Sequence, residues 1–190
     1  MDKAKERMIL GSGEIFAQTF TGDVPDVEAI CVDANRLFYV SGGATLEYKP
    51  SSYTGSDDLG VFKKTVLTEE EATLKSGAAT VNAEVLEKLC DTGRVSLSQD
   101  GKRRHVKIGG IKNAKNTSYV VCFWHKDEAD GDIWVIIVGR NQAGFSLAFT
   151  KDKETVVDVE FKCEPMDNEG TLIDYIEEVL GEAETEQAQG

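Results

Sequence analysis

The stretch GFSLAFTKDKETVVDVEFKC, residues 144–163, decides the fold class. Phe145, Leu147 and Phe149 alternate with Ser146, Ala148 and Thr150. Val157, Val159, Phe161 and Cys163 alternate with Asp158, Glu160 and Lys162. Lys151-Asp152-Lys153-Glu154 separates the two runs as a charged turn. Side chains alternate between the faces of a strand, so each run predicts a strand with one apolar and one polar face. Together they predict an antiparallel hairpin. Nothing in it is arranged for catalysis, which raises the question of what a chain of such hairpins does.

The same signal recurs along the chain. Strands are predicted over 14–20, 37–40, 44–49, 62–75, 119–125 and 133–140, with an extended segment at 27–32. Gly42-Gly43 separates the second strand from its continuation. An Asp100-Gly101 turn joins 95–97 to 105–108 as a hairpin. The segment 50–60, PSSYTGSDDLG, reads as a long polar loop, and ordered loops of that length usually carry function or an interface. Glu69-Glu70-Glu71 within a strand calls for a wet face or an interface partner. Residues 82–90 read as the one helix, with Val81, Val85, Leu86 and Leu89 on one face, Asn82 as its cap and Gly93 just past its end. Residues 171–180 fit a helix, with a strand as the alternative. Residues 182–190 read as disordered. Eight to ten strands and one helix make a mainly β protein, a sandwich or barrel with one flanking α-helix and a long early loop or arm.

The 190 residues suit one domain, and a composition 41% hydrophobic and 29% charged allows a sizeable core. The division expected is a flexible segment at 1–12, the β domain at 13–175 and an acidic, disordered tail at 176–190. The longest apolar run, Ile133 to Val138, is too short to span a membrane. MDKAKERMIL carries no secretion signal, so manufacture in a reducing cytoplasm is expected. Cys31, Cys90, Cys122 and Cys163 are dispersed without a CxxC pair and read as buried free thiols. His105 and His125 have no ligand spacing. Of the net charge of −13, the segment 164–190 contributes nine acids and no Lys or Arg. The remaining 25 of the 34 acids meet all 21 bases, so the body is only mildly acidic. That balance argues against a general nucleic-acid binder held by phosphate neutralisation.

The search for chemistry yields no catalytic, cofactor or metal site. Gly11-Ser12-Gly13 lacks the third glycine and the preceding strand of a dinucleotide fingerprint and reads as a linker. Asp57-Asp58 and Glu69-Glu70 are adjacent pairs, which a strand points to opposite faces. One basic cluster stands out: Arg94, Lys102, Arg103, Arg104, Lys107, Lys112 and Lys115 within 22 residues. It fits a solvated face, a contact with an acidic surface of a neighbouring copy, or a phosphate backbone. The absence of interleaved aromatics disfavours stacking on single strands.

Particular words carry a resemblance. They are Asn35-Arg36-Leu37, GGATLEYKP (42–50), DDLG (57–60), EEATLKSG (70–77), RHVKIGG (104–110), GDIWVIIVGRNQAGFSLAFTKDKETVVDVEFK (131–162) and EGTL (169–172). In that order they resemble the major tail, or tail tube, protein of long-tailed bacteriophages and prophages, over residues 12–175. The resemblance implies a subunit that assembles into stacked, hexameric rings. These form a hollow tube around a tape measure protein, capped by tail terminator and distal tail or baseplate proteins. DNA later passes through the lumen without sequence-specific binding. The implied location is the virion tail, after synthesis in the bacterial host cytoplasm.

Carried onto this chain, the resemblance makes 50–64 an inter-subunit arm, with Pro50, Tyr53, Asp57, Asp58, Leu59 and Phe62 as its contacts. The segments 44–49 and 66–74 become lumen-wall strands, with Glu47, Glu69 and Glu71 facing the lumen, where carboxylates would repel DNA phosphates. Arg94, Arg103, Arg104 and Lys107 become candidate charge contacts. The inner tube of a contractile tail or of a phage-derived bacteriocin shares the same expectations. A monomeric ligand-binding β-barrel is the alternative of a different class. It would gather aromatics at a barrel mouth, whereas Trp124 and Trp134 read as core.

Overall fold

The computed structural model describes residues 11–149, 151 and 155–180. Strand β1 (Glu14–Thr19) pairs antiparallel with β2 (Arg36–Ser56) on one edge and with β6 (Tyr119–His125) on the other. The sheet continues from β2 to β3 (Lys63–Ala78), then to β8 (Val157–Glu164) and β7 (Ile133–Asn141). Pairing of β7 with β6 closes it into a six-stranded antiparallel ring. Closure removes the sheet edges that would otherwise seek partners. A short strand, β9 (Asp174–Glu177), adds to β7 along Ile133 to Ile136. The hairpin of β4 (Arg94–Leu97) and β5 (Arg104–Lys107) stands as a separate two-stranded sheet. No helix among the described residues is long and apolar enough to cross a membrane.

The alternation read from the sequence fills the ring. Ile15, Phe38, Leu74, Val121, Ile137, Val159 and Phe161 point inward and are buried together. Each such side chain contributes roughly 1.5–3 kcal/mol of burial. Helix α2 (Ala83–Leu89) adds Val85 and Leu89 to the same core. Its cap is as expected: Asn82 Oδ1 accepts from the backbone N–H of Glu84 and of Val85, each at 2.9 Å. Lys88 Nζ donates to the carbonyl of Ala17 at 2.8 Å, and Asn141 Nδ2 to that of Leu89 at 3.0 Å, tying the helix to β1 and β7.

A second core lies on the outer face of β1, β6 and β7. Phe16, Val120, Cys122, Ile136 and Val138 are buried there under Ile30 and Met166. Strands buried on both faces lose their alternation and read as continuous apolar runs, which explains Ile133 to Val138. Trp124 and Trp134 stack at 6.2 Å against this core, and Trp124 Nε1 donates to Asp132 at 2.8 Å. They are packing residues, as the sequence suggests.

Several sequence readings change here, and one left open is decided. Residues 27–30 form a short helix, α1 (Val27–Ile30), rather than an extended segment. Val27, Ile30 and Cys31 then share the face toward the second core, at helical spacing. The segment 144–149 forms no strand. β8 pairs with β3 along Val157 to Lys162 and with β7 only along Phe161 to Glu164, and 144–149 does not take up the rest of that edge. Phe145 and Leu147 instead pack on the core from a loop, while Phe149 is exposed. Gly42-Gly43 does not end β2; at φ of +79° and +84° the pair forms a bulge between Ser41 and Ala44. Residues 174–177, left between helix and strand, are strand. The turn residues 152–154 and residues 181–190 lie outside the described residues; of the tail expected as disordered from 176, Ile176 and Glu177 are instead part of β9, paired with β7.

Gly11-Ser12-Gly13, dismissed as a phosphate loop, packs across the end of β6. His125 Nδ1 donates to the Ser12 carbonyl at 2.8 Å. A Cβ on Gly13 would stand 2.3 Å from the Trp124 carbonyl oxygen, a close approach that only glycine permits.

Candidate assembly surface

The arm is a strand pair rather than a loop. Segment 50–56, expected as part of a polar loop, continues β2, and its partner is the start of β3, from Lys49↔Glu71 out to Ser56↔Lys63. Serine and threonine suit a ribbon with both faces wet: Thr54 and Thr65 share a hydroxyl hydrogen bond of 2.8 Å across the strands. Thr68 Oγ1 donates to the Ser51 carbonyl at 3.1 Å beside a bulge. Strand β1 stops pairing with β2 at Tyr39, and β8 reaches β3 only as far as Thr73. Beyond those points both outer edges of the hairpin lack a strand partner among the described residues. Pro50 is tolerated there because an edge need not donate. From Lys49 to Ser56 the ribbon extends about 23 Å at the usual strand rise.

Only the tip is a turn. Asp57 Oδ1 accepts from the Phe62 N–H at 2.9 Å, Asp57 N–H donates to the Phe62 carbonyl at 3.1 Å, and Gly60 N–H donates to the Asp57 carbonyl at 3.0 Å. Asp57 thus closes the turn, and Asp58 is exposed beside it. What the tip presents is apolar: Leu59 is 85% exposed, Phe62 77% and Val61 70%, with Tyr53 at 65% on the shaft. A lone two-stranded ribbon is at best marginally stable in water, and it gains no burial of its own from these side chains. Of the contacts expected from the sequence, Tyr53, Leu59 and Phe62 are thus exposed apolar side chains without burial of their own. Val61 was not among the residues read from the sequence.

Glu47, Glu69 and Glu71 fall on one face of the hairpin, as strand parity requires. That face is mixed in charge rather than purely acidic. Lys75 Nζ reaches Glu47 at 3.0 Å, Lys49 Nζ reaches Glu47 at 3.1 Å, and Lys162 Nζ reaches Glu71 at 3.1 Å. The Lys75 and then the Lys49 ammonium hold the Glu47 carboxyl below its ordinary range. On the other face the Tyr48 hydroxyl donates to Glu70.

The basic hairpin splits its charge. Arg94 and Lys107 face each other across the β4–β5 pair, and Arg104 lies on the opposite face opposite Leu97. Arg103 sits next to the turn, where its N–H donates to Ser98 Oγ at 3.0 Å. Arg104 reaches Glu84 at 3.5 Å, whereas Arg94 is partly withdrawn, its Nη2 donating to the Gly109 carbonyl at 3.4 Å. Leu97, Ile108 and Ile111 are exposed beside these cations. The four charged residues named from the sequence are thus neighbours, yet they do not form one flat patch.

An open cleft of about 530 Å³ lies outside the ring, between residues 22–28 and the segment around Met166 and Asp174. The ring interior itself is filled by side chains. Among the described residues no three His, Cys, Asp or Glu side chains gather as they would to hold a metal ion. No protein-family model matches the sequence, and no match was found among curated proteins.

Proposed function

We propose that the chain is a structural subunit that polymerises, and specifically the tail tube protein of a long-tailed bacteriophage. The observation that carries the proposal is the β2–β3 arm, a projecting ribbon with an apolar tip and two edges that lack a strand partner among the described residues. Unpaired edges and exposed apolar side chains are what one chain offers another. A second copy is the occupant that a closed body with a projecting arm invites, because a head-to-tail contact whose rotation closes builds a ring. The ordered resemblance in sequence supplies the rest of the proposal: hexameric rings stacked around a tape measure protein, ended by terminator and distal tail proteins, and a lumen that DNA traverses. In such a lumen the mixed ladder on the face of Glu47, Glu69 and Glu71 would hold DNA weakly. Lys49, Lys75 and Lys162 are each engaged by a carboxylate, which lowers their value as phosphate anchors.

Negative-stain electron microscopy of concentrated and dilute protein, beside light scattering for mass, tests the reading. Rings or hollow tubes are expected. Monomer at every concentration, even with preformed tail ends added as initiators, would overturn it and turn attention to ligands for the outer cleft.

The basic hairpin yields a further prediction. Reversing Arg103 and Arg104 to Glu should raise the concentration needed for assembly several-fold at low salt, with the difference fading as ionic strength rises toward 1 M. Equal assembly of variant and parent at every salt concentration would return these residues to a solvated surface.

A further inference from the structure

Cys31 and Cys122 stand 91 positions apart in sequence, yet their sulfurs are 3.5 Å apart, sharing a thiol–thiol hydrogen bond. Cys31 ends α1, and Cys122 points from β6 into the second core. Disulfide formation asks the sulfurs to close from that distance to about 2.05 Å. The pair is asymmetric. Cys31 is partly exposed and Cys122 is buried. The Cys122 thiol holds Cys31 below its ordinary range, and the same contact together with burial pushes Cys122 upward. Cys90 and Cys163 have no such neighbour among the described thiols, and burial raises both.

We propose that Cys31 and Cys122 are a latent disulfide: reduced when the subunit is made, and closed by a small-molecule disulfide of the oxidised glutathione class once the protein meets an oxidising medium. The exposed partner acts first. Cys31 thiolate attacks one sulfur of the reagent, forming a mixed disulfide and expelling one glutathione thiolate, which takes up the proton Cys31 lost. Cys122 then attacks the Cys31 sulfur, releasing the second glutathione, which takes the Cys122 proton. Two protein thiols are oxidised and one reagent disulfide is reduced to two thiols. The product staples α1 to β6 across the second core, at the place where the sheet's outer face is covered by a helix of only four residues. The timing rests on the tail tube reading, since a particle leaves a reducing cytoplasm for an oxidising exterior; the chemistry does not.

Purified full-length protein, treated with oxidised glutathione and then alkylated, provides the test. The expected product has an intact mass lower by two hydrogens before alkylation, takes up label at Cys90 and Cys163 only, and gives a proteolytic fragment joining the peptides that carry residues 31 and 122. Its Tm rises by several degrees, because a cross-link over a long loop restricts the unfolded chain, and a reductant reverses the rise. The variant Cys31→Ser should show neither the fragment nor the rise. A lasting glutathione adduct on Cys31 without the fragment, or four thiols still free to alkylation, would overturn the proposal. Both readouts work on the monomer, so they stand apart from whether tubes form.

Discussion

Replacing residues 50–70 with Asn-Gly is expected to leave a folded monomer that, on the tail tube reading, no longer assembles. Lys49 and Glu71 are a directly paired position of the hairpin, so a two-residue turn between them suits the strand twist. From 49 to 71 every residue except Gly55 is exposed, and none belongs to either buried cluster. The far-ultraviolet signal should lose only the ribbon's share, and the Tm should stay within a few degrees of the parent. Assembly is another matter. Well-buried aromatic and aliphatic anchors at an interface are each worth about 2 kcal/mol or more, so losing Tyr53, Leu59 and Phe62 together should raise the critical concentration by roughly 100-fold or beyond. The milder double variant Leu59→Glu with Phe62→Glu keeps the Asp57 turn and should act in the same direction. Long tubes from the truncated chain would show that the arm is not the contact.

How much of this was legible depends on where the deciding partner lies. Strands β6 and β7, helix α2 and the β4–β5 hairpin carry their own signals: runs of β-branched and aromatic residues flanking a turn, an Asn82 cap and an Asp-Gly turn. Their neighbours in sequence are also their neighbours in space. The ribbon at 50–56 was read as loop because Pro, Ser and Gly are poor strand formers, and only the facing strand imposes extension on them. That the segment is long and polar was legible, its strand pairing not. The converse error at 144–149 has the same cause. Alternation there was real, but Phe145 and Leu147 are held against the core from a loop, and no facing strand pairs with them. Over 27–32 the apolar residues fit both periods, and the second core decided between them. The Glu69-Glu70-Glu71 run did ask for a wet face, and the ribbon supplies two. Nothing local could announce the approach of Cys31 to Cys122, because it depends on how α1 lies against β6.

The largest loss of stability is expected from Phe161→Ala. Phe161 is 1% exposed, on the strand that joins the arm's base to the closing strand: its register partners are Leu74 of β3 and Asn141 of β7. Truncating a buried Phe removes its transfer free energy and leaves a cavity, at a cost of about 3–5 kcal/mol. Domains are stable by roughly 5–15 kcal/mol in all, so the variant should sit near the edge of folding. Urea unfolding should show a midpoint lower by roughly 2 M with an unchanged slope, the sign of lost stability rather than an altered denatured state. Phe161→Leu, which keeps most of the volume, should recover the greater part. Glu160→Ala, one position along on the opposite face, should change the midpoint little. This variant and the arm truncation separate two ways of failing to assemble: the first through loss of the folded body, the second with the body intact. A Phe161→Ala protein as stable as its parent would mean that β8 does not face the interior, and the ring of strands on which the arm's position depends would have to be redrawn.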